Sequence, residues 1–162
     1  MINYSSIKAI IFDLDDTLVG SDDFYARALK KMHINPAGKP FLNARAAVKA
    51  QLPPGQPSGR NRLLYFKRML DNKRDGYGLG ALEMMLRYEA LLQAMSKTEW
   101  KNLKRDVLFQ KLSRRYRLVI LTNENLRTQL KKLQAIDPKE KYFERVFTSE
   151  EVGEEKPSAK GF

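Results

Sequence analysis

The sequence predicts an α/β fold in which a parallel sheet is interrupted after its first strand by a long helical insert. Three observations lead there. The apolar run Ala9-Ile10-Ile11-Phe12, continuing to Leu14, ends in the carboxylates Asp13, Asp15 and Asp16, and reads as a buried strand. A second such run, Arg117-Leu118-Val119-Ile120-Leu121, closes in the small polar pair Thr122-Asn123. Between them the chain carries mostly helical spacing, and after them it continues as helix and strand. The order strand, insert, strand, helix, strand argues an α/β fold with a parallel sheet.

The first run sets the functional question. Carboxylates at the end of a buried strand are costly to desolvate unless a cation compensates them. In open parallel sheets, ligands bind in the crevice beyond the carboxyl ends of the strands. Asp13 and Asp15 are two residues apart, so in an extended segment both point to the same side. That arrangement can hold one hard cation or place a nucleophile beside a proton donor. Acids after a strand also serve as turn formers, but turn chemistry does not explain so apolar a preceding strand. A calcium loop is excluded, because its sixth position is Leu18 rather than Gly and its twelfth is Phe24 rather than Glu.

The elements follow in order. Ser21-Asp22-Asp23 opens a helix with acids suited to the positive end of its dipole, and Phe24, Ala28, Leu29 and Met32 carry it to about His33. His33, the sole histidine, reads as a capping or surface residue. Pro36 to Pro40 breaks the chain, and Asn43 to Leu52 forms a short Ala-rich helix. Pro53-Pro54-Gly55-Gln56-Pro57-Ser58-Gly59 is a loop. Arg60 to about Leu70 is helical, and the glycine run Gly76-Tyr77-Gly78-Leu79-Gly80 is a turn. No strand precedes that run and no Lys-Ser/Thr follows it, so it is not a phosphate-binding loop. A helix from Ala81 to Met95 buries Leu82, Met85, Leu86, Glu89 and Leu92. Another begins at Ser96-Lys97-Thr98-Glu99, with Thr98 as its cap and Trp100, Leu103, Val107 and Leu112 inward. After the second strand, Asn125 to Ile136 is an amphipathic helix with Leu126, Leu130, Leu133 and Ile136 on one face, and Glu144 to Thr148 is a third strand.

Composition bounds the function. The chain has 162 residues and no cysteine, which excludes a disulfide framework and thiol chemistry. It has no long apolar run and no signal-peptide pattern, so the expectation is a cytoplasmic protein with no membrane partner. The net charge of +11 is concentrated in the middle. Residues 20–116 carry 20 Lys and Arg against 8 Asp and Glu, and no acid lies between Asp23 and Asp71. Two parts with different surfaces follow from that asymmetry.

The residues Phe12-Asp13-Leu14-Asp15-Asp16-Thr17-Leu18 resemble the first motif of the haloacid dehalogenase-like (HAD) hydrolase superfamily. The strand ending in Thr122 resembles its second motif, and Lys156-Pro157, followed by Phe162, its third. The resemblance covers nearly the whole chain. It implies a Rossmann-like core formed by 1–19 and 117–162, incomplete at the C-terminus, with an α-helical cap at 20–116. It also implies Mg2+-dependent hydrolysis of a phosphate monoester, with a small phosphorylated metabolite as substrate. Asp13 would be the nucleophile and form an aspartyl-phosphate. Asp15 would protonate the leaving group and later activate water. Thr122, Asn123 and Lys156 would hold the phosphoryl oxygens. The metal would sit on the Asp13 carboxylate and the Asp15 backbone carbonyl. An alkoxide leaving group needs a proton and a halide does not, so the second aspartate favours phosphoryl transfer over dehalogenation.

The sequence also departs from the pattern. In the family a fourth motif, a further strand ending in acidic residues, supplies another metal contact, whereas this chain stops five residues after Pro157. The expectation is a shortened form with weak metal binding and weak or no activity, or a non-catalytic relative. The first strand is then an exposed edge, open to self-association or to a strand from a longer natural chain. The basic middle offers an alternative class of function, binding of nucleic acid or another polyanion.

Overall fold

The computed structural model describes residues 6–71 and 77–159; Gly76 of the glycine run and Phe162 of the third motif lie outside the described residues. Its sheet has three parallel strands in the order β1 (Ala9–Phe12), β2 (Arg117–Thr122), β3 (Phe143–Thr148). Ile10 pairs with Leu118 and Phe12 with Ile120, while Thr122 pairs with Thr148 across the second ladder. The α/β class is as the sequence predicts. The central β2 is the best covered strand, with Leu118, Ile120, Leu121 and Thr122 all buried.

β1 is less covered than a buried strand. Ile11 is 57% exposed, while Ile10 and Phe12 are partly buried. The physical reason is its edge position: among the described residues, only β2 pairs with it.

Among the described residues, five α-helices lie between β1 and β2: α1 (Ser21–Lys31), α2 (Lys39–Ala50), α3 (Arg62–Asp71), α4 (Ala81–Asn102) and α5 (Arg105–Ser113). α1 has Asp22 and Asp23 in its first turn and Lys30 and Lys31 in its last, both favourable to the helix dipole. α2 begins at Lys39 rather than Asn43, because Pro40 fits a first turn, where its missing N–H costs nothing. A short 3₁₀ turn, Pro57–Arg60, forms within the expected loop.

The expected break near Ser96 is absent. α4 runs unbroken for 22 residues. Ser96 is buried within it, and the Thr98 hydroxyl donates back to the Ala94 carbonyl at 2.9 Å instead of capping a new helix. Its buried face is Met84, Met85, Tyr88, Leu92 and Met95, which rotates Leu82 and Leu86 to the exterior. Leu103 and Val107 are exposed as well. The inward residues around α5 are Trp100 and Phe109, with Phe109 ring centroids 5.3 Å from both Phe12 and Phe143. α5 thus packs directly on the sheet, although the sequence assigns it to the insert.

After β2, α6 (Leu126–Ile136) returns the chain to β3, and the one-turn α7 (Ser149–Val152) follows. Asn125 caps α6 by accepting from the Thr128 N–H at 3.1 Å. The buried face of α6 is Gln129, Lys132, Leu133 and Ile136, and Leu130, expected inward, is exposed. No helix among the described residues is long and apolar enough to cross a membrane.

Candidate active site

The site is built where β1 ends. The strand stops at Phe12, and the chain then turns back on itself. The N–H groups of Leu18 and Val19 both donate to the Leu14 carbonyl, and the Asp16 N–H donates to the Val19 carbonyl at 2.7 Å. Asp16 takes a left-handed conformation (φ 56°), which aspartate tolerates better than most residues. Leu14, Leu18 and Val19 are buried and anchor this turn. Asp13 and Asp15 flank the buried Leu14, and each carboxylate meets a different lysine.

Asp13 is the open member. Its side chain is 41% exposed, and Oδ1 lies 3.0 Å from Lys156 Nζ and accepts the Leu14 N–H at 2.8 Å. Among the described residues, Oδ2 has no partner. Lys156 is held from several directions. Its ammonium donates to the Leu121 carbonyl at 2.8 Å. The Asn123 side-chain amide clamps its backbone, accepting the Lys156 N–H at 2.6 Å and donating to its carbonyl at 3.0 Å. Asn123, expected on the phosphate, is thus engaged in fixing the lysine.

Asp15 is the closed member. Its Oδ1 accepts from Lys132 and from the Ser21 hydroxyl. Oδ2 accepts from Gln129 Nε2 at 2.9 Å and the Tyr25 hydroxyl at 3.1 Å. Lys132 is 1% exposed in its side chain and also donates to Tyr25 at 2.9 Å. Burial pushes the Asp15 carboxyl upward, but Lys132 beside it and the bonds from Lys132, Ser21 and Gln129 outweigh that, leaving it below the usual aspartate value. Tyr25 is driven well above the ordinary tyrosine range by burial and by the neighbouring Asp15 and Glu124 charges.

Thr122 is buried at the end of β2, its Oγ1 accepting from Gln129 Nε2 at 2.8 Å. The same amide nitrogen therefore joins Thr122 to Asp15. Beside this lies a second buried pair, Arg62 on α3 and Glu124, at 3.2 Å. Arg62 also sits over the Tyr25 ring, 4.7 Å from its centroid. Burial raises the Glu124 carboxyl above its ordinary value, against the pull of Arg62 and Lys132.

Sequence reasoning names Asp13, Asp15, Thr122, Asn123 and Lys156. It misses Ser21, Tyr25, Arg62, Glu124, Gln129 and Lys132. One signal was present: Gln129 and Lys132 share the helical spacing of Leu133 and Ile136, so two polar residues sit on an apolar face.

Among the described residues, no three His, Cys, Asp or Glu side chains gather as a metal cage. Magnesium commonly binds through one or two carboxylates while keeping water and substrate oxygens, so a full cage is not required. The half-exposed Asp13 carboxylate fits that mode, whereas the Asp15 carboxylate is already satisfied by four donors.

The family model for haloacid dehalogenase-like hydrolases matches residues 7–162. The chain belongs to the haloacid dehalogenase-like hydrolases. A solved structure agrees with this haloacid dehalogenase-like fold. YfnB of Bacillus subtilis, assigned as a HAD hydrolase and crystallised with magnesium, aligns with a TM-score of 0.56 at 22% identity. The alignment covers 96% of this chain and 71% of YfnB. No curated protein matches the sequence.

Proposed function

We propose that the chain is a Mg2+-dependent phosphate-monoester hydrolase acting through Asp13. The observation that carries this reading is the free Oδ2 of a half-exposed aspartate whose other oxygen is paired with a rigidly held lysine. A nucleophilic carboxylate needs an open oxygen and a neighbouring positive charge for the phosphoryl group it attacks. Membership of a hydrolase family supports the class of reaction.

Asp13 Oδ2 attacks phosphorus in line, the bond to the leaving oxygen breaks, and an aspartyl-phosphate forms. Water then attacks that phosphorus, releasing phosphate and restoring the carboxylate. Lys156 stabilises charge on the phosphoryl oxygens, and Asn123 keeps Lys156 in place. The Thr122 hydroxyl, at the end of β2, is the further donor toward the phosphoryl group. Asp15 moves protons: as the carboxylate found here, it is set to accept one from the attacking water. For an alkoxide leaving group Asp15 must first take up a proton, with one of its four donors turned away; it gives that proton to the leaving oxygen as the bond breaks, and the carboxylate so formed takes one from the attacking water. Magnesium, when bound, adds positive charge against the phosphoryl oxygens, and the Asp13 carboxylate and Asp15 carbonyl are the groups to hold it.

The test is release of 4-nitrophenol from 4-nitrophenyl phosphate with magnesium, comparing the chain with Asp13→Asn. Turnover lost on substitution supports the reading. Turnover equal in both proteins, or absent from a folded wild-type chain, contradicts it.

A further inference from the structure

One buried amide stands between two of the groups that the proposed reaction uses. Gln129 is 0% exposed and lies on the face of α6 that also carries Leu133 and Ile136. Its Nε2 donates to Asp15 Oδ2 at 2.9 Å and to Thr122 Oγ1 at 2.8 Å. A side-chain amide nitrogen carries two protons, so both are engaged. The direction of the amide follows from its neighbours. Turned over, Oε1 would face the Asp15 carboxylate, with no proton between the two acceptors. As placed, Oε1 is buried and has no hydrogen-bond partner among the described residues. An orphaned buried acceptor weakens the fold. An apolar side chain of similar length would fill the space without that loss, so packing alone does not explain a glutamine here.

The two bonds fix the Thr122 hydroxyl. Thr122 is 1% exposed at the end of β2. It follows Leu121, whose carbonyl accepts from the same Lys156 ammonium that lies 3.0 Å from Asp13, so the hydroxyl stands one residue from the open aspartate–lysine pair. A hydroxyl has one proton to give and lone pairs to accept with. Beside Asp15 and without the amide, it would turn that proton to the carboxylate, because a bond to a charged acceptor is the stronger one. The Gln129 nitrogen instead donates to the hydroxyl oxygen and to the carboxylate at once. The Thr122 proton is left over, and no described residue accepts it.

We infer that Gln129 is a positioning residue for phosphoryl transfer: by donating to both Thr122 and Asp15 it keeps the Thr122 hydroxyl off the carboxylate and reserves its proton for a phosphoryl oxygen. This rests on the phosphatase reading of Asp13. Gln129 acts through Thr122 and touches no reacting atom itself. The hydroxyl is aimed before substrate arrives, so no reorganisation is needed as charge builds on the phosphoryl group.

The experiment is a double-mutant cycle on the intact chain. Wild type, Gln129→Met, Thr122→Val and the variant carrying both are compared in kcat for 4-nitrophenyl phosphate with magnesium, and in calorimetric affinity for inorganic phosphate. Gln129→Asn, which withdraws the same donor by one methylene, takes the place of Gln129→Met if that variant does not fold. Leu133→Ala, a buried position on the same helix, controls for a loosened core, with the urea midpoint as its measure. The expected result is a kcat about thirtyfold lower in Gln129→Met and about a hundredfold lower in Thr122→Val, with the double variant no lower than Thr122→Val. Losses that multiply in the double variant overturn the inference, because Gln129 then does not act through Thr122. So does a wild-type kcat in Gln129→Met, or an equal loss of kcat in Leu133→Ala. Absence of turnover from every folded protein removes the phosphatase reading, and phosphate affinity then decides. A loss shared by Gln129→Met and Thr122→Val, and no deeper in the two together, leaves the inference standing. Phosphate binding that is absent from the wild type, or unchanged in Gln129→Met, overturns it.

Discussion

Two aspartate–lysine pairs grow from one loop, two residues apart, and they have opposite characters. Asp13–Lys156 is half open, with one carboxylate oxygen free and the lysine clamped from behind by Asn123 and the Leu121 carbonyl. Asp15–Lys132 is closed, with its lysine buried and each carboxylate oxygen accepting two donors. Residue type does not separate them; accessibility and hydrogen-bond saturation do. A carboxylate with an unused oxygen can react. One with every lone pair engaged joins the pieces that engage it, here α1 through Ser21 and Tyr25, and α6 through Gln129 and Lys132.

The largest expected effect is on the closed pair. Lys132→Met leaves the Asp15 carboxylate buried without its main partner, and breaking a buried pair costs about 3–5 kcal/mol. Urea unfolding should show that loss, and an unchanged midpoint would remove the structural role assigned to the pair. At the open pair the expected effect is on chemistry. Lys156→Met should lower turnover of 4-nitrophenyl phosphate by about a hundredfold, while costing under about 1 kcal/mol of stability, since half-exposed pairs contribute little. A variant with unimpaired turnover would remove Lys156 from the mechanism.

The first-motif turn explains which parts of this arrangement were legible in the sequence. The α/β class and the three strands were readable because apolar runs ending in polar residues are local patterns. The division of labour between Asp13 and Asp15 was not. It depends on which lysine each carboxylate meets, Lys156 for Asp13 and the buried Lys132 for Asp15, and spacing within the loop does not reveal that. Lys132 was hidden for a related reason. A lysine on a helix reads as solvated, and only the distant Asp15 and Tyr25 make its burial tolerable. The single long α4 was missed because Ser96 and Thr98 resemble a helix start, although burial of Ser96 and Trp100 keeps the helix intact.

Acid should sharpen the contrast further. The folded value of Asp15 lies below its unfolded value of about 3.8, so its contribution to stability is complete above that pH and is lost as pH falls through the folded value. The urea midpoint should drop more steeply below pH 3.8 in the wild type than in Asp15→Asn, and parallel curves would contradict this. The smallest effect belongs to the clamp. Asn123→Ala frees the Lys156 backbone and should reduce turnover by about tenfold through misplacement of the lysine. A loss in KM alone, with kcat intact, would instead place Asn123 directly on the substrate.

The most direct test sets Asp13→Asn beside Asp15→Asn and measures, for both, the free energy of urea unfolding and the turnover of 4-nitrophenyl phosphate with magnesium. Asp13→Asn should keep wild-type stability within about 0.5 kcal/mol, as an exposed substitution does, and lose turnover. Asp15→Asn should lose several times more stability, through the uncompensated Lys132. Equal destabilisation by the two variants, or turnover that survives in Asp13→Asn, would contradict the assignment of the nucleophile to the open pair and of the larger share of stability, beside proton transfer, to the closed one.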